Sequence, residues 1–194
     1  MIIEYFGPSG SGKTFESNNF YKFNKHFNNH FLLIAKMNKF LRVFYKLSFF
    51  IFAKPRDVYN IYLLHKSFIF YSKIIQFQNF FAFMYLCCFL RYQIFFRKRN
   101  ILLDQGFFQL LLSCYIYSKS LKSNNIVIKN FKLILKDFIV QNYRIIKTSQ
   151  NLFLSKEKLL KRESAKYVSD YYNSMDKIKI SLDSVNEIID VILR

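Results

Sequence analysis

An α/β fold with a mostly parallel sheet and a long all-helical insert after the first helix is the expectation this sequence sets. Three features set it. Short apolar runs that stop at Gly or Asp lead into helix-length segments. The first run, Met1–Phe6 (MIIEYF), empties into a glycine-rich turn. The stretch 37–98 then carries apolar residues three and four apart, the spacing of helices with one buried face. At 194 residues the chain suits a single domain, 1–194, large enough to bury its own core.

The elements follow in order. Met1–Phe6 reads as a buried strand and Thr14–Phe27 as a helix. Within the insert, Phe40, Val43, Phe44, Leu47, Phe50 and Ile51 share one helical face. Lys54-Pro55 breaks that helix, and Pro55 suits the first turn of the next, Arg56–Tyr71. A third helix fills Gln78–Phe96 and closes on Arg97-Lys98-Arg99, where cations favour a helix C-terminus. Asn100–Leu103 (NILL) is a short strand stopping at Asp104-Gln105-Gly106, before a helix over Phe107–Ser118. Lys132–Leu135 (KLIL) reads as a strand and Phe138–Ser149 as a helix. Glu157–Met175 is a long polar helix, Lys177–Leu182 a strand and Val185–Leu193 a closing helix.

Composition excludes more than it selects. Apolar residues make up 52%, too many for a disordered chain, and 4 Gly with 2 Pro rule out collagen-like and linker classes. Lys plus Arg number 30 against 12 acids, a net charge of +18. That charge attracts nucleic acid, anionic membranes and phosphorylated ligands alike. Phe, Tyr, Met, Ile, Asn and Lys, the residues of A/T-rich codons, exceed half the chain, so base composition also feeds the excess. Cys87, Cys88 and Cys114 form no CxxC pair and read as small apolar residues inside helices. Ile74–Leu90 is uncharged, but its cleanly apolar part, Phe80–Leu90, is shorter than the ~20 residues a bilayer requires, and it reads as a buried helix. The glycine-rich turn begins at Gly7, so no signal peptide is expected and the expected location is cytoplasmic.

One motif carries chemistry. Gly7-Pro8-Ser9-Gly10-Ser11-Gly12-Lys13-Thr14 satisfies G-x-x-x-x-G-K-[ST], between a predicted strand and a predicted helix. Glycines let successive backbone N–H groups curl around a phosphate, and the helix start points its positive dipole at the same anion. Lys13 then reaches the β- and γ-phosphates, while the Thr14 hydroxyl ligates Mg²⁺. Three of the chain's 4 glycines lie in this turn. The fourth, Gly106, follows Asp104, an acid at the carboxyl edge of a predicted strand, where open α/β sheets bind ligands. Asp104 can hold the water shell of a metal or accept a substrate proton. Alone it would read as a solvated turn residue. Arg144 and Lys147, on the helix expected over Phe138–Ser149, share a face at i, i+3 and could close over a triphosphate.

With these residues the chain resembles the nucleoside- and nucleotide-kinase-like P-loop family, which includes thymidylate, adenylate and adenylylsulfate kinases. It looks closest to P-loop proteins carrying hhhDEG or hhhDQG, some encoded in bacterial surface-polysaccharide gene clusters. The resemblance implies a three-layer P-loop NTPase fold, with a lid over about 138–155. It implies ATP and Mg²⁺ as cofactors and transfer of the γ-phosphoryl to a small-molecule acceptor. Ser9, Gly10, Ser11, Gly12, Lys13 and Thr14 would bind nucleotide, with Lys147 beside them. Thr14 and Asp104 would hold the metal, and Lys13, Asp104 and Arg144 would be catalytic. Gln105 stands where thymidylate kinases carry the Arg that holds an acceptor phosphate, which tilts the acceptor toward an uncharged hydroxyl compound such as a sugar or polyol.

Two other readings stay open. A nucleotide-binding regulatory protein without transferase activity would bind ATP and turn over no acceptor. The first 155 residues, with 22 basic and 5 acidic side chains, would equally suit peripheral contact with a membrane, nucleic acid being the less favoured partner.

Overall fold

A computed structural model of the chain describes residues 1–9, 11–29, 34, 37–97, 100–140, 142–148, 152, 155, 157 and 175–193. Strand β1 (Ile2–Phe6) is buried at all five positions and leads through the glycine-rich turn into helix α1 (Lys13–Phe23). A short strand, β2 (Phe27–Asn29), precedes the helical insert. The insert begins with α2 (Lys39–Ser48), whose first turn is capped by the Asn38 side chain accepting from Leu41 N at 2.8 Å. A 3₁₀ turn (Phe49–Phe52) and helix α3 (Pro55–Lys66) follow. Strand β3 (Phe68–Phe70) leads to α4 (Lys73–Arg91), capped by Ser72 and continued by a π-helical turn (Tyr92–Phe96). Then come β4 (Asn100–Leu103), α5 (Phe107–Ile116), β5 (Ser118–Leu121), α6 (Asn124–Ile139), β6 (Tyr143–Lys147) and α7 (Met175–Leu193).

The expected α/β class with a parallel sheet is what the chain adopts. Four strands pair in the order β2-β4-β1-β6, every pairing parallel, so β1 lies inside and β4 lies directly beside it. Their carboxyl ends therefore emerge on one edge. Side chains alternate across this sheet as the pleat requires. Ile2, Phe6, Ile101 and Leu103 face the main core, built with α4, α5, α6 and α7. Ile3, Tyr5, Leu102 and Phe27 face the other side, where Phe20 and Tyr21 of α1 cover them. Helix α4 is the centre of the main core, buried throughout residues 83–91. With the turn after it, α4 is long and apolar enough to cross a membrane by length and composition, and half of an apolar 18-residue window within it is buried inside the fold.

Several expectations are corrected. The strand expected at 132–135 lies inside α6, whose buried Val127, Phe131, Ile134, Leu135 and Phe138 follow a helical spacing. The strand expected at 177–182 lies inside α7, where Ile178, Leu182, Val185 and Ile189 do the same. The helix expected over 138–149 is mostly strand: α6 ends at Ile139, Asn142 turns the chain with a left-handed φ of 59°, and Tyr143–Lys147 pairs with β1. The helix expected over 56–71 stops at Lys66, because Phe68–Phe70 pairs antiparallel with β5, so the insert expected to be all-helical carries a strand. The first helix ends at Phe23, four residues before its expected end, and a turn over 24–26 leads into β2. The polar helix expected over 157–175 falls almost wholly outside the described residues, as do Gly10, Lys98 and Arg99.

Candidate nucleotide site

The glycine-rich turn is held at the sheet edge by the strands on either side of β1. Gly7 N donates to Gln109 Oε1 of α5 at 3.4 Å, and Ser11 N closes a turn on Pro8 O at 3.2 Å. Thr148, just past β6, donates through N and Oγ1 to Phe6 O at 2.8 and 3.1 Å, and its hydroxyl meets the buried Ser11 hydroxyl at 2.6 Å. This contact explains the first glycine. A Cβ on Gly7 would run into the Thr148 hydroxyl and lie 2.9 Å from Ser11 Oγ. Gly12 is required for another reason, since its φ of +96° lies in the region that L side chains rarely adopt. As the residue before α1, Gly12 has no side chain with which to cap that helix.

Lys13 folds back over the turn, its Nζ donating to Gly7 O and Pro8 O, both at 2.8 Å. Burial pulls the ammonium down to about 8, against the opposing pull of the Asp104 and Glu4 carboxylates. A desolvated cation bonded to two carbonyl oxygens gains from a phosphate placed beside it. Thr14 Oγ1 donates to Asp104 Oδ2 at 3.1 Å, linking the start of α1 to the end of β4. Asp104 is buried, and burial raises its carboxyl, while the Thr14 hydroxyl and Lys13 draw it part of the way back.

The other expected site residues divide. Ser9 lies in the turn and Ser11 is tied to Thr148. Lys147 sits opposite Phe6 at the carboxyl edge of the sheet, with its Nζ 3.9 Å from Asp190 of α7. Arg144 is opposite Ile3, three residues earlier on β6, and its Nε donates to Asn142 Oδ1 at 3.2 Å. On a strand i and i+3 point to opposite faces, so the shared helical face expected for Arg144 and Lys147 does not form.

Three contributors escaped sequence reading: Glu4, Gln109 and Thr148. Glu4 lies fully buried beneath the turn on β1. Its Oε1 accepts from Gln109 N at 2.8 Å, and its Oε2 accepts from Phe108 N at 3.3 Å and from the Tyr143 hydroxyl. The carboxylate thus caps α5, and Gln109 carries that anchor back to Gly7. Gly106 leaves room for it, because a Cβ there would strike the Glu4 carboxyl. The available signals were an acid inside an apolar strand and a Gln on the first turn after Asp-Gln-Gly.

Burial raises the Glu4 carboxyl from 4.5 to about 7, despite the lowering pull of Tyr143, Gln109, Phe108 and Gly106. A folded value above the unfolded one means that the stabilisation is complete below about pH 4.5. It is lost as the pH rises through about 7. Denaturant unfolding of the wild type should therefore lose about 3 kcal/mol from this group across that window, at about 1.4 kcal/mol per unit. Glu4→Gln should flatten that part of the profile, and an unchanged slope would show that Glu4 stays ionised throughout.

Among the described residues no group of three or more His, Cys, Asp or Glu converges. Magnesium does not need one, since it keeps several waters and takes one or two protein oxygens. The Thr14 hydroxyl and Asp104 carboxylate are hard oxygen donors of that kind. No protein-family model, curated protein or solved structure matches this chain.

Proposed function

We propose that the chain is an ATP-binding P-loop phosphotransferase of three-layer α/β architecture, moving the γ-phosphoryl of ATP to an acceptor hydroxyl. The observation that carries this reading is the convergence of the turn from Gly7 to Thr14 with Asp104 of the neighbouring strand, joined through the Thr14 hydroxyl. The parallel order supports it, because the loop-bearing strand is flanked by the acid-bearing one. Backbone N–H groups of the turn and of the first turn of α1 would receive the phosphates. Lys13 would release Gly7 O and Pro8 O to meet the β- and γ-oxygens. Thr14 and Asp104 would hold magnesium, which neutralises charge on the transferred phosphoryl when bound. Asp104 would also take the proton of the attacking hydroxyl.

Calorimetry with ATP and magnesium tests this directly. The wild type should bind, and Lys13→Ala should weaken binding at least about tenfold, a loss of about 1.4 kcal/mol. Phosphoryl transfer retained in Lys13→Ala would overturn the assignment. A second reading, a nucleotide-binding regulatory protein without transfer, is favoured by one observation: Arg144 bonds Asn142 instead of facing the turn. ATP binding without ADP release across a panel of sugars, polyols and long-chain alcohols would select it.

A further inference from the structure

A cavity of about 510 Å³ opens beside Asp104, between α2, the 3₁₀ turn, α4 and the start of α5. Its volume falls within the ~300–1,000 Å³ of small-molecule sites. Leu47, Phe50, Phe81 and Leu110 line its walls, and Asp104 and Gln105 lie at one end. Among the described lining side chains that are buried, Asp104 alone carries a charge and Tyr85 a hydroxyl; Lys46, Gln78 and Gln105 are exposed at the rim. A sugar or polyol held here would forfeit most of its hydrogen bonds, at a cost of kilocalories per hydroxyl. An apolar body ending in one hydroxyl would not.

The rim continues the same chemistry outward. Val43, Leu47, Phe77 and Phe81 line the cavity and are exposed. Beyond them on α2, the rings of Phe40 and Phe44 pack at a tilt of 52°, centroids 4.6 Å apart, with most of their surface in solvent. Exposed apolar area of this extent marks an interaction surface. Arg42 and Lys46 flank this apolar stripe on α2, Lys46 at the cavity rim, in a chain of net charge +18. An exposed apolar stripe flanked by basic side chains is the pattern of a helix lying in an anionic lipid surface.

We propose that this cavity receives the chain of a lipid alcohol drawn from an anionic bilayer, with its hydroxyl at Asp104. The proposal rests on the phosphotransferase reading for its chemistry. The hydroxyl oxygen forms a bond to the γ-phosphorus of ATP, the bond to the β-phosphate oxygen breaks, ADP leaves, and the hydroxyl proton passes to Asp104. The binding half stands apart from that reading and is tested without nucleotide.

Equilibrium dialysis of radiolabelled farnesol should show saturable binding by the wild type. Ala82→Trp, which fills the cavity, and Leu47→Asp, at a half-exposed wall position where folding is spared, should each weaken it tenfold or more. Co-sedimentation should favour phosphatidylglycerol over phosphatidylcholine vesicles, and Phe44→Asp should abolish it. Farnesol binding that is absent, unaltered in both cavity variants or displaced by xylitol would overturn the proposal, as would indifference to vesicle charge. If farnesol binds and ATP does not, the phosphotransferase reading falls while this site stands.

Discussion

Arg91→Met is expected to cost about 3–5 kcal/mol of unfolding free energy, the scale on which a buried ion pair fails when one partner is removed. Arg91 ends α4 with a side chain almost out of solvent. Its guanidinium donates to Asp57 Oδ2 at 2.6 Å, to Asp57 Oδ1 at 3.1 Å and to Phe52 O at 2.8 Å. Asp137 of α6 lies 3.6 Å away and is paired on its other side with Arg56 at 2.6 Å. The cluster ties together α3, α4, α6 and the 3₁₀ turn, the frame of the helical insert. Removing the cation strands Asp57, which is also buried and which accepts from Lys54 N at the start of α3. The pairing is expected to be visible as coupling. Adding Asp57→Asn to Arg91→Met should recover about 0.5–3 kcal/mol, because the amide keeps the cap and drops the orphaned charge. Urea unfolding of the two single variants and the double variant measures it. Additive losses would show that the two charges act independently.

The parts of the fold that were legible in the sequence are those dictated locally. β1 and β4 are short, apolar apart from Glu4 and Asn100, and bounded by Gly and Asp, so they could be placed from pattern alone, and with them the glycine-rich turn and Asp104. The strands that escaped draw their order from partners far away in the chain. Ser118–Leu121 (SKSL) has no apolar period and is a strand only because it pairs with Phe68–Phe70. Tyr143–Lys147 carries apolar and basic residues that fit either period, and pairing with β1 decides for strand. The opposite error struck KLIL and KIKISL, short windows on the apolar faces of α6 and α7. In the site, Lys13, Thr14 and Asp104 were readable because their chemistry belongs to a motif. Thr148 and Glu4 were not, because they act by proximity across a sheet. Placing Arg144 on a helix carried it to the wrong face.

Asp104→Asn is expected to lower phosphoryl transfer by about 10²–10⁴-fold, the range spanned by loss of a positioned proton acceptor. Asn is nearly isosteric and its carbonyl can still accept from the Thr14 hydroxyl, so the link between α1 and β4 persists. What it loses is the charge. In the folded chain that charge is held out of water, and burial raises the Asp104 carboxyl above its ordinary 3.8. Its contribution to stability is therefore complete below the unfolded value and lost as the pH rises through the folded one. The fold disfavours the ionised form of this carboxyl, and Asn removes that burden. The unfolding midpoint of Asp104→Asn should equal or exceed that of the wild type at pH 7, while ADP release with isoprenoid alcohols and polyols as acceptors falls. A structural Asp would behave differently: its loss would lower the midpoint and reduce turnover only through the unfolded fraction. Wild-type turnover in a stable Asp104→Asn protein would remove Asp104 from the reaction. A fall in both would return it to the role of a buried tether for Thr14.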